Sequence, residues 1–285
     1  MSDTLNLTIT KSDGTVVSIS GPLSGMTLTE TPVVPPVVPP VVPPVVPPVI
    51  PPVVPPVAGA PVIPDTAHRE NMLAKQWKSN HDAGTSGSAS GSYKYPVTSP
   101  DGRVNCLEFD FTTNGGGWIA HCLALTGGAS QYTKFCYRKR ERKIDPGGWK
   151  TLNQIETDLE ITDPKTGIPQ DMAMQQSATS NEGEEITINH HWTPSGVKID
   201  PHARDDNAWH FTENYLTFNP ANNQITYDGL TFDGVFYPIG KTVTDPDSSA
   251  WGKDELNVQC QYNGVSGTKD HVILIDLFEI VCWKG

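Results

Sequence analysis

Residues 32 to 56 read PVVPPVVPPVVPPVVPPVIPPVVPP, and the pattern trails off as VAGAPVIP to residue 64. Proline locks its own φ and has no amide to donate. The residue before each proline is pushed to extended backbone. Helix and interior strand are both excluded over this stretch, which leaves polyproline II. Fully extended in that form, the segment would reach about 100 Å. A four-residue repeat on a three-residue turn rotates by a third of a turn each time. The valines therefore spread around the rod rather than forming one stripe, which leaves apolar surface for lateral association. The repeat divides the chain into three zones: 1–31, the 32–64 spacer and 65–285.

The first zone holds two alternating runs, LNLTIT and TVVSIS, around Lys11-Ser12-Asp13-Gly14. An Asp-Gly pair between alternating runs predicts a β-hairpin. A lone hairpin is marginal in water. This zone is therefore expected to dock onto the chain's own body, a sister subunit or a larger assembly, the last two giving a homo-oligomer or larger assembly through residues 1–64.

In the third zone, DTAHRENMLAKQWKSN (65–80) reads as one short helix capped by Asp65 or Thr66, and DAGTSGSASGS (82–92) as a loop. Beyond Tyr93 nearly everything reads as strands separated by Gly, Asn, Asp and Pro clusters. Among them are VNCLEFDFTT, GWIAHCLAL, EITINHHW, LNVQCQYNG and HVILIDLFEIVCW. Many short strands at near-regular spacing predict an all-β sandwich or barrel.

The formal net charge of −12 argues against nucleic acid and anionic membranes as partners. The run Arg138-Lys139-Arg140-Glu141-Arg142-Lys143, just before the turn signal Asp145-Pro146-Gly147-Gly148, reads as a solvated loop between strands. No apolar run approaches the length of a membrane span, and the start MSDTLNLTIT lacks signal-peptide features. The five cysteines show no C-x-x-C pair and no zinc spacing. In apolar strand runs they act as small hydrophobes, with cross-strand disulfides left open for an oxidising setting.

LNQIETDLEI, residues 152–161, alternates Glu156, Asp158 and Glu160 with Ile155, Thr157, Leu159 and Ile161. On a strand this puts three carboxylates on one face and a mainly apolar row on the other. His190-His191-Trp192 looks like a metal pair, but neighbouring strand residues point to opposite faces. Trp192 at a strand end offers an aromatic face for a sugar ring. His121 is expected to share a face with Ile119 and Leu123, on a core or groove floor. Asp200, Asp205-Asp206-Asn207 and Asp245-Pro246-Asp247 carry the oxygen ligands calcium prefers, yet they fit turn formation better. Gly115-Gly116-Gly117 reads as a turn, and no metal site or cofactor is called for.

The order of YKYPVTSPDGRVNCLEFDFT, NGGGWIAH, LNQIETDLE, NAWHF, NNQITYDGLTFDG and HVILIDLFEIVCW resembles that of concanavalin A-like lectin/glucanase domains. It is most like a LamG-like jelly-roll group of bacterial proteins, over residues 66–285. The resemblance implies a jelly-roll β-sandwich of two antiparallel sheets, with a groove that commonly holds oligosaccharides. Glu156, Asp158 and Glu160 also resemble the catalytic strand of family-16 glucanases. That match implies Glu156 as nucleophile, Glu160 as acid/base and Asp158 as charge tuner, although Thr157 stands where an apolar residue is usual. Retaining hydrolysis needs two carboxyls about 5 to 5.5 Å apart.

The favoured reading is a non-catalytic, lectin-like carbohydrate-binding head on a polyproline spacer, using Glu156, Asp158, Glu160, Trp192 and His121. It suits extracellular or surface display on a cell, fibre or virion. The alternatives are a structural subunit assembled through the N-terminal segment and a retaining β-glucanase.

Overall fold

The computed structural model describes residues 4–11, 16–22, 27–30, 57–81, 87–162, 169–178, 183–188, 191–204, 208–244 and 254–285. The chain divides into two compact units, Met1–Ile50 and Pro51–Gly285. The VVPP repeat up to residue 56 and the Ser12–Gly14 turn lie outside the described residues.

In the first unit, β1 (Thr4–Thr10) and β2 (Val16–Pro22) form the expected antiparallel hairpin, with Leu7 opposite Ile19 and Ile9 opposite Val17. A third strand, β3 (Thr27–Glu30), extends it on the β2 side.

The second unit is a sandwich of two antiparallel sheets, as the strand spacing predicts. Its elements in chain order are β4 (His68–Asn71), β5 (Lys78–His81), β6 (Ser88–Val97), β7 (Cys106–Asn114), β8 (Gly117–Leu125) and β9 (Lys134–Lys143). Then come β10 (Leu152–Thr162), β11 (Pro169–Ser177), β12 (Gly183–Ile188), β13 (His191–Pro194), β14 (His210–Asn219) and β15 (Gln224–Phe232). The last three are β16 (Val235–Val243), β17 (Leu256–Gly264) and β18 (Thr268–Trp283). One sheet has seven strands in the order β13-β12-β11-β10-β17-β8-β5. The other has eight, in the order β16-β15-β14-β9-β18-β7-β6 with β4 added to β18.

Three expectations are corrected. The helix over 65–80 is instead two short strands, β4 and β5, around a turn. Met72, Leu73 and Trp77 are buried from that turn, and Trp77 Nε1 donates to the Met72 carbonyl at 3.1 Å. A helix would satisfy its own backbone, but both sheets offer strand partners here: β4 pairs with β18 and β5 with β8. The small-residue loop 82–92 is in part strand β6, because Gly91 sits against the Phe111 and Trp118 side chains where a Cβ has no room. The basic run 138–143 is no solvated loop. It is interior strand β9, between β14 and β18, and its charges alternate between two faces.

Arg138 and Arg140 point outward to acidic partners. Arg138 pairs with Glu213 at 2.8 Å and Glu279 at 2.9 Å, and Arg140 pairs with Asp276 at 2.7 Å. Lys139, Glu141 and Lys143 point between the sheets and are almost fully buried. Lys139 Nζ meets Glu141 Oε2 at 2.8 Å, and Tyr262 bridges the two at 3.1 and 3.0 Å. Arg204 donates to Glu141 Oε1 at 3.1 Å and stacks 4.6 Å from the Trp149 ring centre. Burial alone would raise the Glu141 carboxyl, but Lys139 and Arg204 outweigh it and hold that pKa below the ordinary value.

Around this cluster the core is aromatic. Trp77, Phe109, Phe111, Trp118, Tyr262 and Phe278 make stacked or edge contacts 4.7 to 6.2 Å apart. The five cysteines are free and buried within strands, as small hydrophobes. Ala60, Ile63 and Ala67 pack on Cys136, Tyr215 and Val281, so the chain entering this unit lies against the outer side of the eight-stranded sheet. Among the described residues no helix is long and apolar enough to cross a membrane.

Candidate functional site

The alternation in LNQIETDLEI is realised in β10, an interior strand of the seven-stranded sheet. Ile155, Leu159 and Ile161 enter the shared core, and Thr157 turns inward to share a 2.8 Å hydrogen bond with the Tyr137 hydroxyl. Glu156, Asp158 and Glu160 therefore take the outer face.

Register builds three rows across that face. Glu156 lies between Gln261 of β17 and Gln175 of β11, and Gln175 is opposite Glu185 of β12. Asp158 lies between Gln259 and Ala173, with His121 beyond Gln259 and Lys78 beyond His121. Glu160 lies between Asn257 and Asp171. The central outer surface is thus carboxylates and carboxamides. Lys78 is the one Lys or Arg in these rows among the described residues, on edge strand β5 three strands from Asp158, about 14 Å by strand spacing.

The side chains are tightly packed: Glu156, Asp158, Glu160, Gln175, Glu185, Asn257 and Gln261 are all buried. Gln259 Nε2 donates to Asp158 Oδ2 at 2.6 Å, and Gln175 Nε2 to Glu185 Oε2 at 2.6 Å. Asp158 is also hydrogen-bonded to Glu156. Burial first, and then the charges of Glu156 and Glu160, push the Asp158 carboxyl well above the usual range. Among the described residues, Asp158 Oδ1, Gln175 Oε1 and both amide atoms of Asn257 have no hydrogen-bond partner.

His121 shares the face with Ile119 and Leu123, while Trp118, Ala120 and Cys122 enter the core, as expected. Burial and then the Lys78 charge lower its pKa, which favours neutral imidazole. Trp192 lies on edge strand β13, opposite Thr187 and three strands from β10. It is half-buried, and the structure does not bring it beside the carboxylates. His191 is exposed, and His190 lies outside the described residues. Asp200 caps the turn Pro201–Ala203 by accepting from the His202 amide at 2.8 Å. Residues 205–207 and 245–247 lie outside the described residues. Among the described residues no three His, Cys, Asp or Glu side chains converge to hold a metal ion.

The amide side of the face was missed in the sequence, although LNVQCQYNG carries its signal. Asn257, Gln259, Gln261 and Asn263 alternate there with Val258, Cys260 and Tyr262, which are buried in the core.

No protein-family model matches the chain, and no curated protein matches it. Among solved structures it is similar to a carbohydrate esterase from the Shiga toxin-encoding bacteriophage phi24B, at 15% identity and a TM-score of 0.40, over 72% of this chain and 89% of that one. It is similar to peanut lectin at 10% identity and a TM-score of 0.40, over 73% of this chain and 98% of the lectin. A third similarity is to an endo-1,3-β-glucanase from Streptomyces sioyaensis, at 12% identity and a TM-score of 0.39, over 79% of this chain and 100% of the enzyme.

Proposed function

We propose that the sandwich is a carbohydrate-binding head whose ligand lies on the outer face of the seven-stranded sheet, without being cleaved. One observation carries this reading: three adjacent rows through the middle of that face consist almost wholly of carboxylates and carboxamides. Sugar hydroxyls donate and accept hydrogen bonds, so an array of carboxylate acceptors and two-way amides complements them. A face that only met water would have no need to bury these groups. Leaving buried polar atoms unmatched, as at Asn257, costs about 1 to 3 kcal/mol each, which a ligand's hydrogen bonds would offset. Glu156, Glu160, Gln259 and Gln261 are the central contacts, and His121 extends the face toward β5.

Calorimetric titration with a panel of β-linked oligosaccharides tests this reading. Binding weakened by Gln259→Ala or Gln261→Ala supports it. No heat from any glycan at millimolar concentration contradicts it.

The file of three carboxylates along β10, with Asp158 raised by its two neighbours, favours a second reading, hydrolysis with retention at the sugar carbon. Here Glu156 would attack and Glu160 would protonate the leaving oxygen. New reducing ends from laminarin or lichenan, abolished by Glu156→Gln, would establish it. Binding without release of reducing ends leaves the first reading.

A further inference from the structure

Between the two sheets lies a small cavity of about 10 Å³, room for one guest the size of a water molecule or a halide ion. Inward residues of β9 and β14 line one side, where Lys139 stands beside Thr212 and Tyr137 beside Asn214. Thr157 of β10 and Gln176 of β11 face them, and Arg204 reaches in from the end of the turn Pro201–Ala203.

Cations outnumber acids on this lining. Lys139 and Arg204, both deeply buried, share the single carboxylate of Glu141. The Tyr137 and Tyr262 phenols stay neutral, because burial raises both. Asp233, whose charge also reaches Arg204, is engaged elsewhere: it shares a 2.7 Å hydrogen bond with His210 and accepts from the Phe211 amide at 2.8 Å.

A second observation is independent of charge. Among the described residues, Arg204 Nε, Thr212 Oγ1 and Asn214 Oδ1 have no hydrogen-bond partner, and each of these residues is 6% exposed. The rest of the guanidinium is fixed. Its Nη1 donates to Glu141 Oε1 at 3.1 Å and its Nη2 to Gln176 Oε1, while the Trp149 and Phe232 ring centres lie 4.6 and 5.0 Å from its carbon. An idle N–H on a buried cation is costly, so a guest that accepts from it stabilises the fold.

We infer that this cavity is a binding site for one monatomic anion, chloride in ordinary solution, held by Arg204 Nε, Thr212 Oγ1 and the Asn214 carboxamide. Arg204 and Thr212 donate to the ion, and a half-turn of the Asn214 amide brings its nitrogen to bear. Water would meet the same atoms but would leave the second cation without a counter-charge. Phosphate and sulfate are too large for the space. The site lies inside the sandwich and is independent of the outer face assigned to carbohydrate.

The test uses the full chain. Crystals soaked in sodium bromide are expected to show an anomalous scattering peak among Arg204, Thr212 and Asn214. In solution, urea unfolding is followed as chloride replaces gluconate at constant ionic strength. The folding equilibrium constant should rise about tenfold between about 5 and about 300 mM chloride. Thr212→Val keeps the side-chain shape without the hydroxyl and should remove most of that rise. Thr242→Val, in an exposed pair with Thr226, should keep it. If Thr212→Val does not fold, the bromide peak alone decides. A cavity that holds water and shows no bromide peak, or a chloride response equal in the two variants, overturns the inference.

Discussion

The two sheets treat their outward charges in opposite ways. On the eight-stranded sheet, signs alternate and meet: Arg138 with Glu213 and Glu279, Arg140 and Arg103 with Asp276, Lys94 with Glu108. On the seven-stranded sheet, acid stands beside acid and the neighbours are amides. The interior follows the first pattern, with Glu141 held between Lys139 and Arg204. Charges that serve the fold come with partners because an unpaired buried charge is costly. The rows through β10 set acids beside acids and amides, which accords with the ligand face proposed above.

The difference has measurable consequences. The largest effect belongs to the interior. Glu141→Ala would leave Lys139 and Arg204 buried without their counter-charge and should cost about 3 to 5 kcal/mol in denaturant titration.

Acid should act next, through His271. This imidazole is fully buried, stacked 4.7 Å from Phe111 and hydrogen-bonded to Thr113 at 2.8 Å. Burial, and then the Lys143 charge, lower its pKa to about 4 from 6.5. The unfolded chain thus takes up the proton first. Stability from this group is complete above pH 6.5 and falls as pH drops toward 4, by up to about 3 kcal/mol. Denaturation midpoints across that range should show the slope, and His271→Gln should flatten it.

On the paired face, Asp276→Asn removes the negative charge and one of the two acceptor oxygens that serve Arg103 and Arg140, and should cost about 1 to 3 kcal/mol. Lys94→Ala, on an exposed pair at 2.8 Å, should change stability by less than about 0.5 kcal/mol. If Asp276→Asn proves as silent as Lys94→Ala, the contrast between the faces weakens.

Much of the sandwich was legible because period-two alternation is local. GWIAHCLAL and LNVQCQYNG coincide with β8 and β17. Glu156, Asp158 and Glu160 on one face follow from the same rule. What escaped depended on pairing at a distance. Residues 68–81 carry a helix-like apolar spacing, yet β18 and β8 supply strand partners far along the chain, as in His81 opposite Trp118 and His68 opposite Cys282. The basic run looked solvated because nothing local shows that Glu141 would meet Arg204, or that Asp276 would meet Arg140. EITINHHW read as one strand, but it divides into β12 and β13. The placement of Trp192, three strands from the carboxylates, is likewise a matter of sheet order, which alternation does not encode.

Equilibrium unfolding of the Glu156→Gln/Glu160→Gln variant at neutral pH bears most directly on the division between folding charges and binding charges. Relief of like-charge crowding around Asp158 predicts stability equal to or above that of the unaltered chain. A loss of more than about 1 kcal/mol would mean that these carboxylates hold the sheet together, as Asp276 does, and would contradict their assignment to a ligand face.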